Sequence, residues 1–183
     1  MFEPLDIARY VGCLEDAFGS ASSHGGRNLP GLYSANLVLQ VSRQTGVDAV
    51  LLAATWAIES NWSLYPRNNG NSDGSVDIGP MQLNYQTWAT SAGRKHIVGN
   101  AFGTNLSKGQ VFNGSPADNL HSAARVLMQL VGIFGDEAAG YYRTGFGSWS
   151  RSEQGVAARR ARQERFESMK AAYADFFDCI GGR

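Results

Sequence analysis

The chain lacks most of the features that mark a specialised class. It has no surplus of charge: 16 basic and 16 acidic side chains cancel. No whole-chain field therefore draws it to nucleic acid or to an anionic membrane. Its longest apolar run, Val47 to Ile58, falls well short of the roughly 20 residues that span a bilayer. The histidines, His24, His96 and His121, are scattered without ligand spacing, so no metal and no cofactor is expected. Val/Ile/Thr alternation of the strand kind is almost missing, as are internal repeats and low-complexity linkers. The opening Met1-Phe2-Glu3-Pro4-Leu5-Asp6 lacks the basic-then-apolar pattern of a signal peptide. Either the numbering is that of a mature form, or the protein reaches its compartment by another route.

Cysteine is also scarce. Cys13 and Cys179 sit near opposite ends, too far apart for a zinc motif or a redox pair. Two reduced, partly buried thiols are the simpler reading. The alternative is a bridge tying an N-terminal helix to a C-terminal one, which would require an oxidising compartment.

What is present suits one domain. A chain of 183 residues, 43% of them hydrophobic, can bury a single sizeable core and is not intrinsically disordered. Residues 3 to 18 carry an apolar stripe at helical spacing, Leu5, Ile7, Ala8, Val11, Leu14, Ala17 and Phe18. Ser34 can cap a second helix that Gly46 stops. Asp48 caps a third, apolar nearly all round and hence buried. Asn61 to Gly79 reads as loop, with a hairpin possible on Asn69-Gly70 or Asp73-Gly74. A short helix is expected from Gln82 to about Ala92. Ser115-Pro116 starts another, running to about Phe134. A further short helix is expected over Asp136 to Tyr142, and a long one over Ser152 to Phe177, weakened by Gly155. The fold class is mostly α, with a small loop or β lobe near residues 65 to 80.

The third helix ends in Glu59. Its uncharged neighbours from Val50 to Ile58 disfavour a carboxylate by desolvation, and the negative end of the helix dipole does the same. Both effects suit a general acid working near neutral pH. The plain alternative is a helix-terminal glutamate pointing into solvent.

Glu59-Ser60, followed by Gly79-Pro80-Met81-Gln82-Leu83-Asn84, resembles the lysozyme-like lytic transglycosylases and goose-type lysozymes. These families carry a helix ending in Glu-Ser and then a Gly-Leu-Met-Gln segment. The stretch from Asp73 to Asn84 looks closest to secretion-associated transglycosylases and related phage lysins. Asn119-Leu120, with Ala124 and Leu127, is similar to the family's Asn-Leu helix, and Tyr142-Arg143-Thr144-Gly145 falls where the family has Tyr-Asn-Ala-Gly. The resemblance covers about residues 33 to 150, with its motifs in the correct order.

The resemblance implies a single lysozyme-like catalytic domain over residues 1–183. Residues 1–30 would supply an N-terminal helix and loop, 31–150 the catalytic core and 151–183 a C-terminal helix. It implies peptidoglycan strands as substrate, cleaved between N-acetylmuramic acid and N-acetylglucosamine, with Glu59 as the acid. Gln82 would hydrogen-bond the glycan, Met81 would wall the cleft, and Asn84 would join them in holding substrate. Ser60 would support the site by hydrogen bonding, and Tyr142 would orient the Glu59 carboxyl. Pro80 replaces the usual leucine and removes one backbone N–H. Arg143 replaces asparagine and puts a cation near Glu59, or against a muramyl lactate or peptide carboxylate.

In a transglycosylase Glu59 then acts as base while the muramyl C6 hydroxyl closes a 1,6-anhydro ring. In an inverting hydrolase a second carboxylate, about 6.5–9.5 Å away, activates water; Asp73 and Asp77 are the candidates, against a plain role in turns. The related transglycosylases carry an aspartate matching Asp77, so that residue alone does not establish hydrolysis. Trp62, Tyr65, Tyr85 and Trp88 could stack on sugars or simply pack in the core. Arg151, Arg159, Arg160, Arg162 and Arg165 read as a solvated helix face, with contact to anionic wall polymers as the alternative.

A monomer acting on the cell wall, in the periplasm or outside the cell, is the resulting expectation. With no signal peptide it would be phage-delivered or exported by a non-classical route. A non-catalytic glycan-binding virion protein, and a nucleic-acid binder built on the basic last helix, are the competing classes.

Overall fold

The computed structural model describes residues 6–19, 29–71, 74–84, 115–144 and 151–181, without the side chains of 143 and 144. It is mostly helical with a small antiparallel sheet. No helix among the described residues is long and apolar enough to cross a membrane.

Helix α1 (Ile7–Phe18) begins at Asp6, whose carboxylate accepts from the Ala8 and Arg9 amides. Helix α2 (Leu32–Thr45) starts two residues before the expected cap. Gly31 precedes it, and Ser34 is a buried helix residue. Gly46 ends it in the left-handed region at φ 77°, which glycine adopts without steric cost. Helix α3 (Ala49–Ser60) is capped as the sequence indicates, the Val50 amide donating to Asp48 Oδ1 at 2.7 Å. Everything from Leu51 to Ala57 is buried.

After α3 come strands β1 (Arg67–Asn68), β2 (Asp77–Ile78) and β3 (Leu83–Asn84), paired in chain order. Arg67 faces Ile78 and Asn68 faces Asp77, while Asp77 faces Asn84 and Ile78 faces Leu83. The hairpin is real, with its ends further apart than either tight turn the sequence offered. The helix expected from Gln82 is corrected at its start. Residues 83 and 84 pair with β2 as a strand, because the backbone must turn back after residue 79 to cover it. The remainder of that expected helix lies outside the described residues.

Helix α4 (Pro116–Phe134) has a full capping box, with the Ser115 hydroxyl accepting from the Asp118 amide and the Asp118 carboxylate accepting from Ser115. A 3-10 turn (Gly135–Glu137) leads into α5 (Ala138–Thr144), and α6 runs from Glu153 to Gly181. Gly155 does not break α6, which continues past the expected end at Phe177.

The long α6 packs along α1, α3 and α5, and α4 packs against α2 and α5. Trp56, Leu52, Val38, Val41, Leu120, Leu127, Leu130 and Phe176 fill the core. Burying such side chains contributes about 1.5–3 kcal/mol each, which is why α3 holds its place at the centre. Cys13 and Cys179 form a disulfide, with their α-carbons 5.6 Å apart. That corrects the reading of two reduced thiols. Packing α1 on the end of α6 brings together two side chains that sequence separation alone keeps apart.

Candidate active site

Glu59 occupies the last turn of α3, and Asn61 ends the helix in the left-handed region at φ 53°. Trp62 follows at φ 64°. Gln82 is the remaining non-glycine residue with positive φ among the described residues, at 45°. Such conformations are uncommon for bulky side chains and gather at functional sites. Here they fall at the end of α3 and at the end of the Gly79–Gln82 turn.

That turn is closed by the Gln82 amide donating to the Gly79 carbonyl at 2.9 Å. Pro80 therefore stands at the second position of a β-turn, where its fixed φ is favoured. The segment is gripped from three sides. Ser60 Oγ donates to the Pro80 carbonyl at 2.6 Å. From α4, Asn119 accepts from the Met81 amide and donates to the Ile78 carbonyl, each at 2.9 Å. From α5, the Tyr142 hydroxyl donates to the Met81 carbonyl at 2.9 Å. The sequence-predicted residues Ser60, Met81, Asn119 and Tyr142, far apart in the chain, thus meet at one turn.

Tyr142 is buried, and burial, with the nearby Asp77 charge second, pushes its phenol well above the usual tyrosine range. It stays neutral and donates. Met81 is fully buried in the core, so its packing anchors the turn. The Gln82 side-chain amide folds back onto the Gly79 and Pro66 carbonyls, at 3.0 and 3.3 Å. The N–H side of that amide is thereby committed to the loop.

Asp77 is the hub of a polar cluster on the sheet. Its Oδ2 accepts from Asn68 and Asn71 at 3.3 and 3.1 Å, and its Oδ1 accepts from Asn84 at 3.0 Å. Asn84 and Asn71 also donate to Ser75 Oγ. Asn84, expected on the substrate, is tied into this cluster. Asp73 and the side chain of Arg143 lie outside the described residues, as do Tyr85 and Trp88.

The sequence reading missed Arg162. Its guanidinium pairs with the Glu59 carboxylate, and the two side chains are 6% and 8% exposed. Arg162 is therefore no part of a solvated face. On α6 the buried residues Gly155, Arg162, Phe166, Tyr173, Phe177 and Ile180 recur at helical spacings of three, four and seven. Arg162 lies in phase with the aromatic stripe, a signal of its burial though not of its partner. Burial, with the Arg165 charge second, pushes it down to about 10, so at neutral pH it remains a cation. Among its neighbours in sequence, Arg159 stacks over the Tyr141 ring at 4.5 Å.

The aromatic residues divide. Trp62 is buried, packing 5.1 Å from Trp56 and donating from Nε1 to the Tyr173 hydroxyl at 3.0 Å. It is a core residue that ties α3 to α6. Tyr65, at 76% exposure, is free to offer a face to a ligand on the loop between α3 and β1.

Comparison with family models, with curated proteins and with solved structures gives no match, so the motif residues alone carry the resemblance.

Proposed function

We propose that this protein is a lysozyme-like enzyme that cleaves the glycan strand of peptidoglycan, acting as a lytic transglycosylase with Glu59 as acid and then base. The observation that carries the reading is the convergence at the Gly79–Gln82 turn. Ser60, Asn119 and Tyr142 each hydrogen-bond that turn, and all belong to motifs noted for their order in the chain. A scaffold without a site has no need to bind one turn from three helices beside a buried acid. The positive-φ backbone at Trp62 and Gln82 points the same way.

In this reading Glu59 protonates the bridging oxygen while positive charge develops at the sugar ring. The same carboxylate then takes the proton of the muramyl C6 hydroxyl as the anhydro ring closes. No second carboxylate is required. Asp77, the described candidate for an inverting hydrolase, has three carboxamide N–H groups on its two oxygens. That occupies most of the roughly four acceptor sites of a carboxylate and leaves little of it to hold a water. Asp77 is better read as the organiser of the sheet. The disulfide suits a protein that works in an oxidising compartment, as the periplasm or cell exterior would be.

Two measurements test the proposal. Glu59→Gln is expected to abolish turbidity loss on purified cell walls while keeping the helical circular dichroism. Mass spectrometry of the products should find anhydro-muramyl ends. Reducing ends heavier by one water would replace the transglycosylase reading with a hydrolase, and an active Glu59→Gln variant would remove Glu59 from the mechanism.

A further inference from the structure

The buried pair between Glu59 and Arg162 conflicts with the environment that the sequence assigns to the acid. The chain around Glu59 is apolar, which by itself favours the protonated carboxyl. The fold then brings a guanidinium from another helix into contact with it. A cation in contact favours the carboxylate, and a buried pair is screened far less by salt than an exposed one. The two influences oppose each other at the atom that must donate the proton.

We propose that Arg162 is the positioning residue for Glu59, fixing its side chain at the end of α3 and setting the pH range over which it carries the proton it must donate. This rests on Glu59 being the acid of the proposed reaction. Three features support it. Arg162 is held in phase with the buried aromatic stripe of α6, so its backbone position is set by the core. The Trp62–Tyr173 hydrogen bond clamps α3 to α6 one side of the pair. The planar guanidinium can grip a carboxylate with two donors, which a lysine cannot do.

From α6, the Arg165 charge adds to burial, the larger cause, in lowering the Arg162 pKa. On α5, burial and then the Asp77 charge from β2 raise Tyr142, which stays neutral. From α2, Tyr33 and Arg43 are exposed. Among the described residues, Arg162 is the cation in contact with Glu59.

The reaction requires protonated Glu59 in the free enzyme, so kcat/KM falls as pH rises through the titration of that carboxyl. Removing the Arg162 charge lets the carboxyl keep its proton to higher pH. For Arg162→Met the high-pH limb on purified cell walls is expected to move up by about one pH unit or more. Arg162→Lys, which keeps the charge and loses the fork, should hold the limb near its original place and lower kcat. Coincident limbs for Arg162→Met and the unchanged protein would overturn the proposal.

A second measurement does not depend on Arg162→Met folding, or on activity. Carbon-13 NMR of the glutamate carboxyls, with Glu59→Gln for assignment, reads the titration of Glu59 in the unsubstituted protein. The Arg162 guanidinium signals should shift in step with that carboxyl as it titrates, because the two groups are in contact. Guanidinium signals that do not respond as Glu59 titrates would show that the two groups are not in contact in solution, and the proposal fails. If Glu59→Gln retained full activity instead, the functional reading would fall while the NMR titration still decided whether Arg162 controls Glu59.

Discussion

Gly79 and the side chain of Asn119 occupy adjoining space so tightly that a β-carbon on the glycine would lie 2.5 Å from Asn119 Cγ. The glycine also has φ 72°, where any other side chain is strained. Asn119 uses that close approach to bridge the Ile78 carbonyl and the Met81 amide. Gly79→Ala is therefore expected to displace Asn119 and destabilise the protein. Asn119→Ala leaves two buried backbone groups without their partner, at about 1–3 kcal/mol each. For a chain of this size each kcal/mol lowers Tm by about 2–4 °C. Thermal melts of both variants check this, and an unchanged Tm for Asn119→Ala would mean the bridge is not there.

The buried ion pair predicts a specific pattern of stabilities. Removing one member strands the other, and Arg162→Met alone should cost about 3–5 kcal/mol. Adding Glu59→Met should restore a good part of that loss, because neither charge is then left buried. Urea unfolding of the two single variants and the double variant at pH 7 gives the coupling. Additive losses would show that the two side chains do not interact in solution.

Tyr142 predicts a loss of stability in alkali. Its phenol is held well above the ordinary value near 10 by burial and then by Asp77. Above about pH 10 the unfolded chain releases the proton that the folded chain keeps. The contribution is thus complete below that pH and is lost as pH rises toward the folded value. Tyr10 is raised in the same sense by burial. Unfolding free energy measured from pH 8 to 11 should fall less steeply in Tyr142→Phe. At pH 7 that variant should be weaker by about 1–3 kcal/mol, because the buried Met81 carbonyl loses the Tyr142 hydroxyl.

The disulfide predicts a local effect of reduction. It closes a loop spanning 166 residues of sequence, and bridges of this kind commonly contribute about 2–5 kcal/mol. Reduction, or paired Cys13→Ser and Cys179→Ser, should lower Tm and raise amide exchange first in α1. The contacts still holding α1 include the Arg9 guanidinium on the Cys179 carbonyl, the Tyr10 hydroxyl on the Pro30 carbonyl and aromatic contacts such as Phe18 with Tyr173. Exchange in α3 should change less, since its place is set by the core. An unaltered Tm after reduction verified by thiol titration would contradict this.

Local chemistry was legible in the chain. The Asp48 cap, the Gly46 stop and the Ser115-Pro116 start each depend on a residue and its nearest few neighbours, and each stands where it was expected. The burial of α3 was equally plain, because a helix apolar on every side has nowhere else to go. The strand at Leu83–Asn84 was not legible. Nothing within those two residues indicates pairing, and the strand exists because the Gly79–Gln82 turn delivers it to β2.

The sequence by itself determined that Glu59 ends a buried helix and that a Gly-Pro-Met-Gln segment follows, since helix burial and turn chemistry are local properties. It could not determine what faces the carboxyl. Arg162 is more than a hundred residues away in the chain, and in isolation it reads as one member of a basic helix. Only tertiary packing, of α6 against α3 and of α1 against α6, set that arginine against Glu59 and joined Cys13 to Cys179. The reason is that ion pairs and disulfides depend on distances in space, which no pattern along one helix contains.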